Sequence, residues 1–301
     1  MKLLYLDLKN KFKVFGLLLF TMATSFCSYA QEKNLDDIDG LIDDLFFSDQ
    51  QFLDELIEND FSYSFLYTSL SYNSNTYFSG RDSGTDQFHL IPQVSYYHSS
   101  GFNASISGIY YQNFSPSWDF TSVSLGYFNT IGKSRNLIYN VGYTKYFYSD
   151  DFDAYTNSID VSLGVRNKKR TVGTTIAGSY LFGTDQSYQI VTNTFANFTL
   201  KRTPTFAIRF RPNISFIIAK QTLAVQKTAF YNGQTVLQTI NYDVFDLLNT
   251  QLHFPLSLST NSWDFELGYY LNVPKATATE SNLPTTNFFN LSVGYLFDLK
   301  K

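Results

Sequence analysis

The feature that most constrains this chain is a two-residue alternation of apolar and polar side chains that recurs along most of its length. In residues 289–299, apolar side chains hold every odd position, while Asn290, Ser292 and Gly294 stand between them. The segments 158–165, 205–218 and 262–272 repeat the pattern. Since a β-strand points successive side chains to opposite faces, each segment predicts a strand with one apolar and one polar face.

The polar faces of these segments carry mostly Ser, Thr, Asn and Gly rather than Lys or Glu. Charged residues make up 16% of the chain, against about 25% in ordinary soluble domains. A soluble β-sandwich also alternates, but its water-facing strands would carry more charge. After residue 30 no apolar stretch approaches the ~18 residues of a membrane helix. The sequence therefore predicts an all-β fold, a closed antiparallel up-and-down transmembrane β-barrel over residues 61–301, because a closed barrel pairs every backbone group in lipid.

Twelve alternating segments are visible, and an even number is usual for single-chain bacterial barrels. The predicted strands are 61–73, 86–98, 101–114, 117–130, 135–149, 155–167, 170–182, 186–201, 205–219, 242–259, 262–273 and 286–299.

The predicted connections alternate in length, which tests the strand assignment independently. Every second connection is short, whereas the first, ninth and eleventh are long, at 74–85, 220–241 and 274–285. Outer-membrane barrels keep short turns on the periplasmic side and longer loops outside. We therefore expect the N- and C-termini of the barrel to be periplasmic.

The N-terminus has the layout of a secretory signal peptide over residues 1–30. Lysines precede a short apolar core at 14–23, and Ser28-Tyr29-Ala30 offers small residues for cleavage before Gln31. A retained anchor and a lipoprotein at Cys27 are the alternatives. Cleavage leaves 18 of the 22 basic and 25 of the 26 acidic residues. This acidic balance argues against nucleic-acid binding, and loss of the single Cys excludes disulfides.

Residues 31–60 break the two-residue period. Apolar residues recur there at helical spacing, for example at Leu35, Ile38, Leu41 and Ile42, with Asp on the opposite face. The segment predicts one or two acidic amphipathic helices on the periplasmic side. Their apolar stripe needs cover, which a plug position in the barrel mouth, a protein partner or a helix dimer would each supply.

The C-terminal strand resembles the terminal β-signal of outer-membrane barrels, with aromatic residues at Tyr295 and Phe297. It departs from that pattern in the residues that follow, Asp298 to Lys301. The strands rich in Tyr, Phe, Asn and Ser, and the run 255–258, are similar to barrels of the Bacteroidota. The resemblance implies an outer-membrane location in contact with its lipid and insertion by the barrel-assembly machinery. It names no characterised family and supplies no functional residues.

We find no pattern for catalysis, a metal or a cofactor. The three histidines, His89, His98 and His253, form no recognisable triad spacing. The acidic run 150–153 would offer oxygen ligands to Ca²⁺, but it reads more simply as a solvated loop. Five charged residues fall on predicted inward faces and are candidate lumen-lining charges: Asp160, Arg209, Arg211, Asp264 and Glu266.

These observations favour a narrow pore or small-solute channel without catalytic activity. A non-conducting structural or accessory subunit of an envelope complex is the alternative. A lipid hydrolase of the outer membrane is a third hypothesis, for which we find no assembled His/Ser site. Charges inside a barrel tune solute passage, or they pair with each other in a filled interior.

Overall fold

The computed structural model describes residues 64–82, 86–132, 134–149, 152–231, 234–277, 280 and 283–299. This part of the chain is all-β and contains no helix. The described residues therefore include no helix that is long and apolar enough to cross a membrane. The predicted signal peptide, 1–30, and the predicted helical segment, 31–60, lie outside the described residues and stay predictions.

Seventeen strands follow one another along the chain. They are β1 (Ser64–Asn73), β2 (Tyr77–Phe78), β3 (Arg81–Asp82), β4 (His89–His98), β5 (Phe102–Tyr111), β6 (Trp118–Ile131), β7 (Leu137–Tyr148), β8 (Asn157–Arg166), β9 (Val172–Phe182), β10 (Gln186–Ala196), β11 (Phe198–Arg202), β12 (Phe206–Phe210), β13 (Asn213–Tyr231), β14 (Gln234–His253), β15 (Leu256–Thr260), β16 (Trp263–Pro274) and β17 (Thr286–Asp298).

Fifteen of these strands form one sheet, and β2 and β3 form a separate hairpin. The first and last strands of the sheet pair antiparallel, from Phe65 with Asp298 to Asn73 with Asn290, so the sheet closes on itself. Three barrel strands are each interrupted once, between β10 and β11, β12 and β13, and β14 and β15. Pro212 and Pro255 lie at two of these breaks, where a residue without an N–H cannot donate to the ladder. The result is the predicted closed barrel of twelve antiparallel strands.

The connections divide the barrel into two ends, which we call the turn end and the loop end. The turn end carries residues 99–101, 132–136, 167–171, 203–205 and 261–262, together with the first residue of β1 and the last of β17. These five connections are short, as predicted. The loop end carries the longer connections 74–88, 112–117, 149–156 and 275–285, and a short one at 183–185.

One predicted connection is wrong. The sequence predicts a long loop over 220–241, whereas β13 continues to Tyr231, β14 begins at Gln234, and the two strands pair with each other up to these residues. The segment keeps β-forming residues such as Val225, Val236 and Ile240, and Asn232-Gly233 is the dipeptide that favours a two-residue hairpin turn. Over residues 220–231 and 234–245, each of the two strands pairs with the other along one edge.

The two faces of the barrel wall differ as the alternation predicts. In β8, Val161 and Leu163 are 46% and 59% exposed, whereas Ser158 and Asp160 between the apolar residues are 0% and 4% exposed. Other strands repeat this contrast, so the outer surface is largely apolar and the inner one largely polar. A water-soluble protein places these side chains the other way round, whereas a barrel in lipid requires this arrangement.

Candidate functional site

The interior of the barrel is occupied at the loop end by the hairpin of β2 and β3. Phe78, on this hairpin, is 4% exposed and packs in an apolar cluster on the inner wall. The other buried members of the cluster are Ile91, Ile109, Tyr111, Phe120, Tyr146, Ala154, Tyr155 and Leu181. They come from β4, β5, β6, β7, β9 and the connection 149–156. The predicted outer loop 74–85 therefore folds inward over its described residues, because Phe78 gains an apolar environment there.

The opposite side of the hairpin lies against the other wall through polar contacts. The Thr286 hydroxyl donates to the Gly80 carbonyl oxygen at 2.9 Å. Gly80 has a φ of +79°, and a Cβ at this position would stand 2.7 Å from Asn249 Oδ1. The backbone conformation therefore favours glycine, and a larger residue would also displace the Asn249 side chain of β14.

Arg81 ties the hairpin to the loop end. Its Nε lies 2.7 Å from Glu280 Oε1 and its Nη2 lies 2.8 Å from Glu280 Oε2, a two-pronged ion pair. The guanidinium also donates to the carbonyl oxygens of Leu248 and Lys275. The same Glu280 carboxylate accepts hydrogen bonds from the N–H and hydroxyl of Thr277. We call the pair Arg81–Glu280 the latch, since it joins the inserted hairpin to the connection 275–285.

The latch should weaken in acid. The hydrogen bond from Arg81 lowers the pKa of Glu280 from its ordinary 4.5 to about 2. A carboxyl with a depressed folded-state pKa contributes stability that is complete above its unfolded value and is lost as the pH falls through the folded value. We therefore expect proteolysis within residues 77–82 to accelerate between about pH 4.5 and pH 2, measured with an acid-active protease. Glu280→Gln should flatten this dependence, and an unchanged pH profile in that variant would contradict the role of the latch.

Beneath the hairpin, side-chain amides from neighbouring strands form what we call the amide belt. It consists of Asn73, Asn249, Gln251, Asn272 and Asn290. Asn249 Nδ2 and Gln251 Nε2 each donate to Asn272 Oδ1 at 3.0 Å. Asn272 in turn donates to the Thr286 hydroxyl, which reaches the hairpin. Asn290 Nδ2 donates to Asn73 Oδ1 at 2.7 Å. Polar groups on four strands of the lumen wall are thereby linked side to side.

His89 extends this network through both of its ring nitrogens. The Thr76 hydroxyl donates to the Gln87 carbonyl oxygen and lies 2.8 Å from His89 Nδ1. Asn73 Oδ1 accepts from Asn290, so its Nδ2 donates to His89 Nε2 at 2.6 Å. His89 thereby links the side chains of Asn73 and Thr76.

Four of the five candidate lumen charges lie near each other towards the turn end. Arg209 is on β12, Asp264 and Glu266 are on β16, and β15 lies between these strands. Arg209 Nη1 is 3.5 Å from the hydroxyl oxygen of Ser259 on β15, and Arg209 interacts electrostatically with Asp264. Arg211 interacts in the same way with Glu266. We call these four residues the charged wall, where basic and acidic side chains face each other across one strand.

Aromatic rings border the charged wall. The Arg211 guanidinium lies 3.7 Å from the centre of the Phe195 ring. His253 Nε2 lies 3.8 Å from Glu266 Oε1, and the imidazole stacks on Tyr270 with ring centres 3.8 Å apart. Tyr270 stacks in turn on Phe288, 4.5 Å away. The three stacked rings are register partners on the neighbouring strands β14, β16 and β17, so the ladder crosses the wall from strand to strand and ends at Phe288, beside the hairpin residue Tyr77.

Asp160 stands apart from the other candidates, on β8, where it accepts a hydrogen bond from Ser158 at 2.8 Å. The same face of β8 carries Arg166, the last residue of this strand. The structure buries Arg166 at the turn end, within electrostatic range of Arg211. Arg166 lies an even number of residues from Ser158 and Asp160, so the alternation along the strand would have identified it as an inward-facing residue.

The remaining chemistry-bearing residues have structural partners. His98 Nδ1 lies 2.8 Å from the Ser100 hydroxyl and accepts the Ser100 N–H, which closes the turn 99–101. Asp153 accepts a hydrogen bond from the Thr184 hydroxyl at 2.8 Å, while the neighbouring positions 150 and 151 lie outside the described residues. Within the described part of the chain, no three His, Cys, Asp or Glu side chains are grouped to hold a metal ion.

Comparison with family models and with curated protein sequences finds no match to this chain. Comparison with solved structures finds outer-membrane barrels. A NanC porin matches at 12% identity and a TM-score of 0.45, over 76% of this chain and 98% of that one. A KdgM porin matches at 8% identity and a TM-score of 0.44, over 77% and 98%. LpxR from Salmonella typhimurium matches at 9% identity and a TM-score of 0.40, over 77% and 100%.

Proposed function

We propose that this protein is an outer-membrane channel for small polar solutes, with its termini on the periplasmic side and its lumen closed by the hairpin β2–β3. The observation that carries the proposal is the combination of an apolar outer face, a polar inner face and an inserted element that is not part of the barrel wall. An apolar outer face suits lipid. A polar inner face suits the passage of water and solutes.

The attachment of the hairpin supports movement rather than permanent closure. In the described residues, β2 and β3 pair with each other and not with the fifteen-stranded sheet. The hairpin is held by side chains, above all by Phe78 and the latch. It can therefore leave the lumen without breaking any hydrogen bond of the barrel ladder. The amide belt and the charged wall would then line an aqueous path.

Single-channel recording of the purified full-length protein in planar bilayers tests the proposal. We expect brief openings in the unmodified protein and about tenfold more open time in Arg81→Ala, since a hydrogen-bonded charge contributes roughly 1.5–3 kcal/mol. Lys275→Ala is the matched control, because it removes the Lys275–Asp246 ion pair, 2.8 Å long and well exposed, at the same end of the barrel. Equal open times in the two variants would contradict gating by the latch.

One observation favours the alternative, a non-conducting barrel that serves as a subunit of an envelope complex. Phe78 is buried among aromatic and aliphatic side chains from five strands, which is the packing of a permanent core. Under this alternative, the hairpin is a structural filling and residues 31–60 are the contact with a partner. Absence of current even when the hairpin is removed, with co-purification of a partner, would favour it.

A further inference from the structure

We propose that the amide belt is a binding site for one unit of an uncharged sugar, which takes the place of Ser79 and Gly80 when the hairpin withdraws. The inference rests on the proposed channel and names the class of solute that the channel would bind. It follows from three properties of the space between the hairpin and the belt: its polarity, its unpaired atoms and its aromatic border.

The space between the hairpin and the belt is polar. A small cavity of about 10 Å³ remains there, and no Asp, Glu, Lys or Arg side chain lines it. Asn249, Gln251, Asn272 and His89 contribute to the lining. An amide offers both donors and acceptors, which is what a ring bearing several hydroxyl groups requires. A carboxylate or an ammonium group would find no counter-charge here and would lose its hydration without compensation.

Two buried atoms in this space lack hydrogen-bond partners. They are Asn249 Oδ1 and Ser79 Oγ, on side chains that are 0% and 6% exposed. Buried polar atoms are nearly always paired with protein or water, so each unpaired one calls for an explanation. The cavity has room for about one water molecule, which would form a hydrogen bond with one of these two atoms. Withdrawal of the hairpin turns Asn249 Oδ1 towards an open lumen, where a sugar hydroxyl can donate to it.

An aromatic ring borders the same cavity. Phe288 lines it, and its ring stacks on Tyr270 on one side, 4.5 Å away. The hairpin residue Tyr77 contacts the Phe288 ring with centroids 6.1 Å apart. Removal of the hairpin uncovers this part of the Phe288 ring beside the amides. Binding pockets typically combine an apolar or aromatic surface with a few oriented polar groups, and a sugar ring presents C–H groups and hydroxyls that match both.

The charges of the lumen lie elsewhere, which supports an uncharged solute. The charged wall is separated from the belt along β16, where Asp264 and Glu266 precede Asn272 by eight and six residues. Six residues of a strand span about 20 Å between Cα atoms, and the stacked rings of His253 and Tyr270 lie between the Glu266 carboxylate and the belt. The two charges of the latch are also not part of the belt, because Arg81 belongs to the hairpin, which withdraws, and Glu280 belongs to the connection 275–285. A solute bound to the belt therefore meets amides and aromatic rings first.

Block of ion current by maltose tests the inference. The full-length Arg81→Ala variant, in which the hairpin is loosened, is recorded in KCl with increasing maltose. We expect maltose to interrupt the current, and Asn249→Leu in the same background to weaken the block about tenfold. Gln251→Leu should act in the same direction, which guards against a single misfolded variant. Asn193→Leu is the matched control, because Asn193 is a lumen amide on β10 that bonds to Asn213 and Ser215.

The outcomes separate the two proposals. A KCl current that maltose does not reduce, or that Asn249→Leu and Asn193→Leu affect equally, overturns the sugar site and leaves the channel standing. Absence of KCl current overturns the channel. In that case calorimetric titration of the detergent-solubilised protein with maltose still decides the sugar site: heat that Asn249→Leu abolishes supports it, and no heat overturns it. Glucuronate should bind more weakly than maltose, and tighter binding of this anion would also overturn the inference.

Discussion

Replacing residues 77–82 with a short Gly-Ser linker should produce steady single-channel openings with a current several-fold larger than that of the unmodified protein. The hairpin fills the lumen from the apolar cluster around Phe78 on one wall to Asn249 and Thr286 on the other. Removing it leaves the twelve-stranded ladder intact, since β1 and β4 are joined directly by the pairing of Asn73 with His89. A short linker can span these neighbouring strands. Conductance in planar bilayers measures the effect.

The projecting hairpin of β13 and β14 provides the control for this deletion. Residues 220–231 pair with 234–245 of β14, beyond the part of β13 that pairs with β10. Shortening this hairpin removes a comparable length of chain without opening the lumen. We expect the current to stay as in the unmodified protein. If both shortened proteins conduct equally, or neither does, the inserted hairpin is not the barrier to passage.

Placing an arginine at Val161 should destabilise the barrel in lipid by about 2–4 kcal/mol, the cost of such a charge near the bilayer midplane. Val161 is 46% exposed on the outer face, in the middle of β8, and pairs with the outward-facing Val141. The substituted side chain has no water to enter at that depth. Reversible urea unfolding in phospholipid vesicles gives the free energy of unfolding for each variant.

Val161→Ala is the matched change at the same site. Alanine shortens the side chain but stays apolar, so it should cost much less than arginine when the surrounding medium is lipid. In water the order would differ, because an exposed arginine on a strand is well solvated. Similar unfolding free energies for the two variants would show that the outer face does not meet lipid, and the membrane assignment would fail with it.

The sequence was a reliable guide wherever structure follows from the backbone's own period. The inward positions of Ser158 and Asp160, and the outward positions of Val161 and Leu163, could be read from alternation, because each strand residue reverses the direction of the one before. The short turns could be located for the same reason, as breaks in the period. The predicted loop at 220–241 was wrong. The sequence did contain a signal for the paired strands, because Asn-Gly at 232–233 is a dipeptide that favours a hairpin turn.

The inward position of the hairpin β2–β3 could not be predicted from the sequence. Residues 74–85 have the composition of an outer loop, and a single apolar residue, Phe78, does not reveal where it packs. The contacts that draw the hairpin inward join residues far apart in the chain: 199 positions separate Arg81 from Glu280, and 206 separate Gly80 from Thr286. Such contacts depend on the closed barrel, whose walls bring these distant residues face to face.

The sequence by itself determined that strands with one apolar and one polar face would form a closed barrel of twelve strands, since side-chain direction and backbone pairing are local requirements of every segment. The tertiary structure alone decided what lies inside. It places the latch, the amide belt and the charged wall, because their members share no local pattern and meet through the register and curvature of the completed sheet.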